Sequence, residues 1–267
     1  MKDLLAWFGL KGFPFDKNIK PREALDTEPF KECLARLDYI KRRGGILLLT
    51  GDPGVGKTLA LRRYVNALNE NLFKAYYTPL STLSRADLLY HLNRLLGLPP
   101  RLSKSAVYTQ IQQTLLDSKQ QLGKTAFLII DEAHLLQTGP LEELRLLTNF
   151  KMDSYDPFIL VLSGHSELRR TMEFAVMEPF NQRVAMRYHM PPISPEETAH
   201  YITHHLHLAG AKEPILDPSA MEAVHQLSFG IPRKIGAITE AALTYAMFDQ
   251  KRTVTAEIVL KVKNLEG

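Results

Sequence analysis

The chain has 267 residues, 45% of them hydrophobic and 23% charged, an ordinary globular composition with room for one large domain and a small one. A net charge of +4 and an isoelectric point near 9.0 are compatible with a nucleic-acid partner but do not demand one. The single cysteine, Cys33, excludes an internal disulfide and a thiol metal site, which fits a reducing compartment.

The opening "MKDLLAWFGLKGFPF" is too short and too interrupted for a signal peptide. No stretch approaches the roughly 20 apolar residues of a membrane span, so a cytoplasmic protein without a membrane partner is expected. "GGILLLT" reads as a buried strand. A helix over "LALRRYVNALNENL" follows, with Leu61, Val65 and Leu68 at helical spacing. "FKAYYTPL" is a second strand. "LSRADLLYHLNRLLGL" is an amphipathic helix stopped at Gly97, with Pro99 and Pro100 beyond it. "SAVYTQIQQTLLDSKQQLG" is a helix capped by Ser103 or Ser105. Strand "TAFLIIDEAH", helix "LEELRLLTNF", strand "PFILVLSGH" and strand "RVAMRYHMPP" come next, the last halted by Pro191 and Pro192.

Continuous apolar strands alternating with helices imply an α/β fold, a parallel sheet covered on both faces in three layers. After Pro192 the strands stop, and about four helices follow, from "SPEETAHYITHHLHLAG" to "TAEIVLKVKNL". The expected organisation is an α/β core over 1–192 and a small all-helical lid over 193–267.

"GDPGVGKT" fits G-x-x-x-x-G-K-[ST] in the required place, after a strand and before a helix. Gly51, Asp52, Pro53, Gly54, Val55, Gly56 and the following Leu59 frame a loop whose backbone N–H groups converge on phosphate oxygens at a helix N-terminus. Lys57 is expected to reach the β- and γ-phosphates of a nucleotide, and the Thr58 hydroxyl to ligate Mg²⁺. In "LIIDEAH", Asp131 at a strand end can hold Mg²⁺, and Glu132 can polarise the attacking water as general base. The pair argues for hydrolysis as well as binding. "HYITHHLH" places His200 and His204 one helical turn apart with His207 nearby, but three or four convergent ligands are not evident, and solvated histidines of a lid helix are the better reading. Cys33 reads as packing.

"GDPGVGKT", "LIIDEAH", "LVLSGHSEL", "FNQRV" and "GIPRK", in this order with a helical C-terminus, resemble AAA+ ATPases. They look most like the branch holding ExeA-type secretion ATPases and transposition ATPases of the MuB, TniB and TnsC kind. "WFGLKGFPFDKNI" also resembles that branch, where such a segment (about residues 1–20 here) lies near the nucleotide base. The resemblance covers nearly the whole chain and implies ATP as the nucleotide. It implies a first sensor at the polar end of "FILVLSGH", either His165 or Ser163. His165 departs from the Asn or Gln of many relatives. It further implies Arg183 as an arginine finger acting on a neighbouring subunit, with Arg187 and Arg170 as rivals, and Arg233 as a second sensor on the lid.

The same resemblance leaves three destinations for the hydrolysis energy. A transposition regulator would assemble as a ring or helical homo-oligomer on duplex DNA and recruit a transposase, with a target-selector protein upstream. A secretion ATPase of the ExeA kind would be expected to add a membrane span and a peptidoglycan-binding region. A replication loader would be expected to add a DNA-binding domain. A core and lid without further segments favours the first. Its DNA contacts would be to phosphate and tolerant of sequence. The candidates are Thr82, Arg85, Lys104, Lys119 and Lys151.

Overall fold

The computed structural model describes residues 2–16, 18–79 and 82–263. Lys17 of the N-terminal segment, Leu80 of the second expected strand, and Asn264 and Leu265 of the last expected helix lie outside the described residues. In chain order the elements are α1 (Lys2–Phe8), α2 (Glu28–Arg43), β1 (Gly45–Gly51), α3 (Lys57–Asn66), β2 (Phe73–Thr78), α4 (Arg85–Leu95), α5 (Lys104–Gln120), β3 (Thr125–Ile130), α6 (Thr138–Leu147), β4 (Phe158–Gly164), α7 (Ser166–Met172), α8 (Glu178–Asn181), β5 (Val184–Met190), α9 (Pro195–Leu208), α10 (Pro218–Ser228), α11 (Pro232–Phe248) and α12 (Ala256–Lys263).

By the contacts they make, the residues fall into two units: 32–53 with 57–190, and 1–31 with 54–56 and 191–267. The N-terminal segment, placed on the sheet side by the sequence reading, groups with the C-terminal helices.

The first unit is built on a five-stranded sheet of order β2-β3-β4-β1-β5, parallel at every pairing. Composition dictates the order. β1, β3 and β4 carry continuous apolar runs with no charged residue and every residue is buried, as strands covered on both faces must be. β2 (FKAYYT) and β5 (VAMRYHM) carry charged or polar residues and are only partly buried, and they take the edges. Leu47, Leu49, Phe127 and Leu162 are fully or almost fully enclosed. Each such side chain contributes roughly 1.5–3 kcal/mol by leaving water.

Helix α3 departs from the expected face. It ends at Asn66 and buries Lys57, Ala60, Leu61 and Tyr64. Val65 is half-buried, and Leu68 lies past the end, where Ala67 and Leu68 N–H groups turn back to Tyr64 and Val65 carbonyls. Tyr64 can take an inner position because its hydroxyl donates to the Leu37 carbonyl at 3.1 Å and the Asp38 carboxylate at 2.9 Å. Ser103, not Ser105, caps α5: its hydroxyl accepts from the Ala106 N–H.

The second unit packs α9, α10, α11 and α12 around Ile202, Leu206, Val224, Ile235, Leu243 and Ile258, with Leu4 and Leu10 from the N-terminal segment. Ser194 and Glu197 form a capping box at the start of α9. His204 and His205 are not solvated as expected. His204 Nε2 bonds the Glu23 carbonyl at 2.7 Å, and His205 Nδ1 donates to the Pro14 carbonyl at 2.9 Å while its ring stacks on Phe15. Among the described residues no helix is long and apolar enough to cross a membrane.

Candidate nucleotide site

In an open parallel sheet, ligands bind beyond the carboxyl ends of the strands. Here those ends bring the two sequence motifs together. Ile130 pairs with Thr78 and with Leu162, so Asp131, one residue on, stands between the ends of β2 and β4. Its carboxylate is almost fully buried and accepts hydrogen bonds from both motifs and from the neighbouring strands. Thr58 Oγ donates to Oδ2 at 2.7 Å, Tyr77 Oη to Oδ2 at 3.1 Å, Ser163 Oγ to Oδ1 at 2.7 Å, and the Glu132 N–H to Oδ1 at 3.1 Å. Thr58 and Asp131 therefore present oxygen donors side by side, the hard ligand set that Mg²⁺ takes.

Tyr77 was not named by the sequence reading. Strand alternation in "AYYTP" and its nearness to the Asp131 strand were the available clues. Burial and the Asp131 carboxylate hold its phenol pKa well above the usual range, so the hydroxyl keeps its proton and donates a hydrogen bond to Asp131.

Lys57 is buried at the start of α3, its Nζ donating to the Gly51 carbonyl at 2.8 Å and the Asp52 carbonyl at 3.0 Å. The ammonium is thus held against the loop that precedes it. Gly54 and Gly56 have φ of 88° and 110°, a region closed to most side chains. Gly54 also lies close under α11. A Cβ there would come within 2.7 Å of the Arg233 Cβ, and the Arg233 N–H donates to the Gly54 carbonyl at 3.3 Å. Gly54 and the "GIPRK" motif are thereby joined inside the second unit.

Glu132 has a left-handed backbone, φ 54° and ψ 30°, which costs an ordinary residue on the order of 1 kcal/mol. Its side chain is 41% exposed. The expected sensor residues diverge in role. Ser163 is fully buried and spent on Asp131, whereas His165 Nε2 stands 3.3 Å from Glu132 Oε2.

The arginines are held locally. Arg183 reaches Asp153 at 3.0 Å, the Arg145 carbonyl at 3.3 Å and Thr148 Oγ at 3.2 Å. Arg187 is bound by Asn181. Arg170 is exposed on α7.

The five residues named for DNA are not gathered into one patch. Thr82 and Arg85 follow β2, at the carboxyl edge of the sheet, and Arg85 is paired with Glu142. Lys119 donates to Thr125, the first residue of β3, and Lys151 precedes β4, so both lie toward the opposite edge. Lys104 is paired with Glu143.

Residues 40–172 match the family described as "AAA domain". General secretion pathway protein A of Aeromonas hydrophila is 35% identical over 245 residues, covering 90% of this chain and 44% of that protein. ATP-dependent target DNA activator B of Escherichia phage Mu is 30% identical over 163 residues, covering 58% of this chain and 48% of that protein. The chain thus spans about half the length of the curated relatives it matches. Among solved structures, the RuvB Holliday junction branch migration motor of Thermotoga maritima superposes with a TM-score of 0.60 at 21% identity, over 95% of this chain and 73% of that one. Cdc6p of Pyrobaculum aerophilum superposes with a TM-score of 0.68 at 15% identity, over 90% and 67%. With that domain, on this sheet and followed by these helices, the chain is a P-loop protein of the AAA family, related to General secretion pathway protein A and to ATP-dependent target DNA activator B.

Proposed function

We propose that this chain is an ATP-hydrolysing switch that assembles on duplex DNA and regulates transposition. The observation that carries the chemistry is the Asp131 carboxylate, fixed by Thr58, Tyr77 and Ser163 beside the Lys57 loop. Thr58 and Asp131 would hold Mg²⁺, which when bound neutralises phosphate charge. Lys57 would leave the Gly51 and Asp52 carbonyls for the β- and γ-phosphates. Glu132 takes a proton from water as the water oxygen bonds the γ-phosphorus. The bond from that phosphorus to the bridging oxygen breaks, giving ADP and phosphate. His165 acts as first sensor through Glu132, Arg233 as second sensor from the start of α11, and Arg183 as the finger offered to a neighbouring copy.

The DNA destination is supported by kinship with target DNA activator B and by the mildly basic charge. ATP favours the assembled state, and hydrolysis favours release. A transposase and a target selector are the partners this reading calls for. A second reading, a secretion ATPase, is favoured by the longer match to General secretion pathway protein A.

Electron microscopy with linear duplex DNA tests both, comparing ATP with Mg²⁺, a non-hydrolysable analogue, ADP and no nucleotide. Rings or filaments that form on DNA only with ATP or the analogue are expected. Glu132→Gln should trap them and Lys57→Ala should prevent them. Intact ATPase activity with no assembly on DNA in any state would move the assignment to the secretion reading.

A further inference from the structure

The acid assigned here to water activation does not stand alone. Two imidazoles face the same oxygen of Glu132: His165 Nε2 at 3.3 Å and His134 Nδ1 at 3.5 Å from Oε2. The two rings stack on each other, centroids 4.0 Å apart and planes 13° from parallel. His134 Nδ1 is buried and makes no hydrogen bond, and its 3.5 Å approach to the Glu132 carboxylate is an electrostatic contact. Burial first, and then the neighbouring His165, lower its pKa, while the Glu132 carboxylate raises it.

These three residues also form the one trio of histidine and acid ligand atoms within 4.8 Å of one another among the described residues. A metal must lie in the plane of each imidazole that binds it. Two nearly parallel rings 4.0 Å apart cannot both aim at one ion, so the arrangement reads as a clamp on a carboxylate and not as a cage for a cation.

The chain makes room for the clamp. At Gly164, the end of β4, a Cβ would come within 2.9 Å of the His134 backbone nitrogen and 3.3 Å of its Cβ. The turn over Ala133–Leu135 can close against β4 only because Gly164 has no side chain.

We propose that His134 is a positioning residue of the hydrolytic site. Stacked on His165 and backed by Gly164, it holds the half-exposed Glu132 carboxylate in the orientation from which it takes the proton of water. The assignment rests on the reading of Glu132 as general base. It predicts a defect in turnover more than in nucleotide binding, because His134 stacks on His165 and faces Glu132, the residues read as acting on the water.

The test is steady-state ATP hydrolysis with DNA present, together with the affinity for a fluorescent ATP analogue, for wild type, His134→Ala, His134→Gln and Gly164→Ala. His134→Ala should lower kcat about tenfold or more and leave KM and the analogue Kd within about twofold. His134→Gln, which keeps an N–H donor near Glu132, should recover part of the loss. In a Glu132→Gln background His134→Ala should do no further harm, since residues acting as a unit are not additive. Gly164→Ala should reproduce the turnover defect by displacing the turn.

Turnover within twofold of wild type for His134→Ala overturns the assignment, as does a Kd that rises as much as kcat falls. Tight Zn²⁺ binding by the wild type that His134→Ala abolishes also overturns it, in favour of a metal site. If His134→Ala unfolds, His134→Gln decides the matter: a folded glutamine variant with lowered kcat and unchanged Kd upholds the assignment, and one with wild-type turnover together with an unaffected Gly164→Ala overturns it. An active wild type with an indifferent His134→Ala fails this assignment alone. A wild type that hydrolyses nothing, with or without DNA, fails the ATPase reading beneath it as well.

Discussion

Ser163→Ala removes one oxygen and leaves a specific hole in the charge balance of the site. The Ser163 hydroxyl is fully enclosed and donates to the buried Asp131 carboxylate at 2.7 Å. Without it, Oδ1 loses its 2.7 Å donor and keeps the Glu132 N–H at 3.1 Å. A hydrogen bond to a charged group is worth about 1.5–3 kcal/mol, and the upper part of that range applies when the acceptor stays buried and under-satisfied. The expected cost is therefore about 2 kcal/mol, felt in the sheet unit. Hydrogen exchange of the β3 and β4 amides, which reports opening of that unit alone, is the assay. A rise of about thirtyfold in exchange from the slowest amides corresponds to that cost. In an Asp131→Ala background the same substitution should be nearly silent, a coupling of more than about 1 kcal/mol. If Ser163→Ala leaves exchange within about twofold of wild type, Asp131 is not anchored through Ser163. The residue would then be free to serve as the phosphate sensor, and the division of roles between Ser163 and His165 would be wrong.

Gly54→Ala should be more damaging than a methyl group suggests, because φ is 88° and the new Cβ meets that of Arg233 at 2.7 Å. A loss of several-fold or more in nucleotide affinity, read by analogue fluorescence, is expected, and unchanged affinity would contradict the packing of the loop. His205 is held neutral by burial, its pKa lowered to about 4. An unfolded histidine titrates near 6.5, so its contribution is complete above about pH 6.5 and is lost as pH falls toward 4. About 3 kcal/mol is at stake. Urea unfolding followed at Trp7, which lies in the helical unit, should show the loss in that window, and His205→Phe should flatten it. Asp153→Ala frees Arg183 from a 3.0 Å ion pair. If Arg183 serves a neighbouring copy, assembly-dependent hydrolysis should rise or begin at lower protein concentration, and a fall would argue for a structural role in its own subunit.

Much of this architecture is legible before any coordinates, because the same physics writes both. Fully apolar "ILLL", "AFLII" and "FILVL" can only be interior parallel strands, and the mixed "FKAYYT" and "VAMRYHM" suit edges. The phosphate loop and the Asp131–Glu132 pair are local in sequence, so their spacing carries them.

What stayed hidden depends on register. Tyr77 and Ser163 meet at Asp131 only through the pairing of Thr78 with Ile130 and of Ile130 with Leu162. Nothing in the order of letters says that His134 will stack on His165, 31 positions along the chain. The inner position of Tyr64 depended on a polar partner in α2, which helical periodicity alone does not register. The surface candidates fared differently, because a lysine or arginine in a loop says little about its neighbour, and Arg85 and Lys104 each face a glutamate of α6.

The left-handed backbone of Glu132 has a wider consequence. Glycine and asparagine enter that conformation at little cost, and glutamate does not. The chain therefore keeps, at the position assigned to its chemistry, a residue that its own folding disfavours. On the reading of Glu132 as general base, Glu132→Asn or Glu132→Gly should relieve the strain and abolish hydrolysis in one step, giving a protein that melts later and turns over no nucleotide. A survey that ranked variants of this chain by durability alone would place such inert forms above the natural one. On that reading, what the site needs and what the fold prefers pull in opposite directions at this one position.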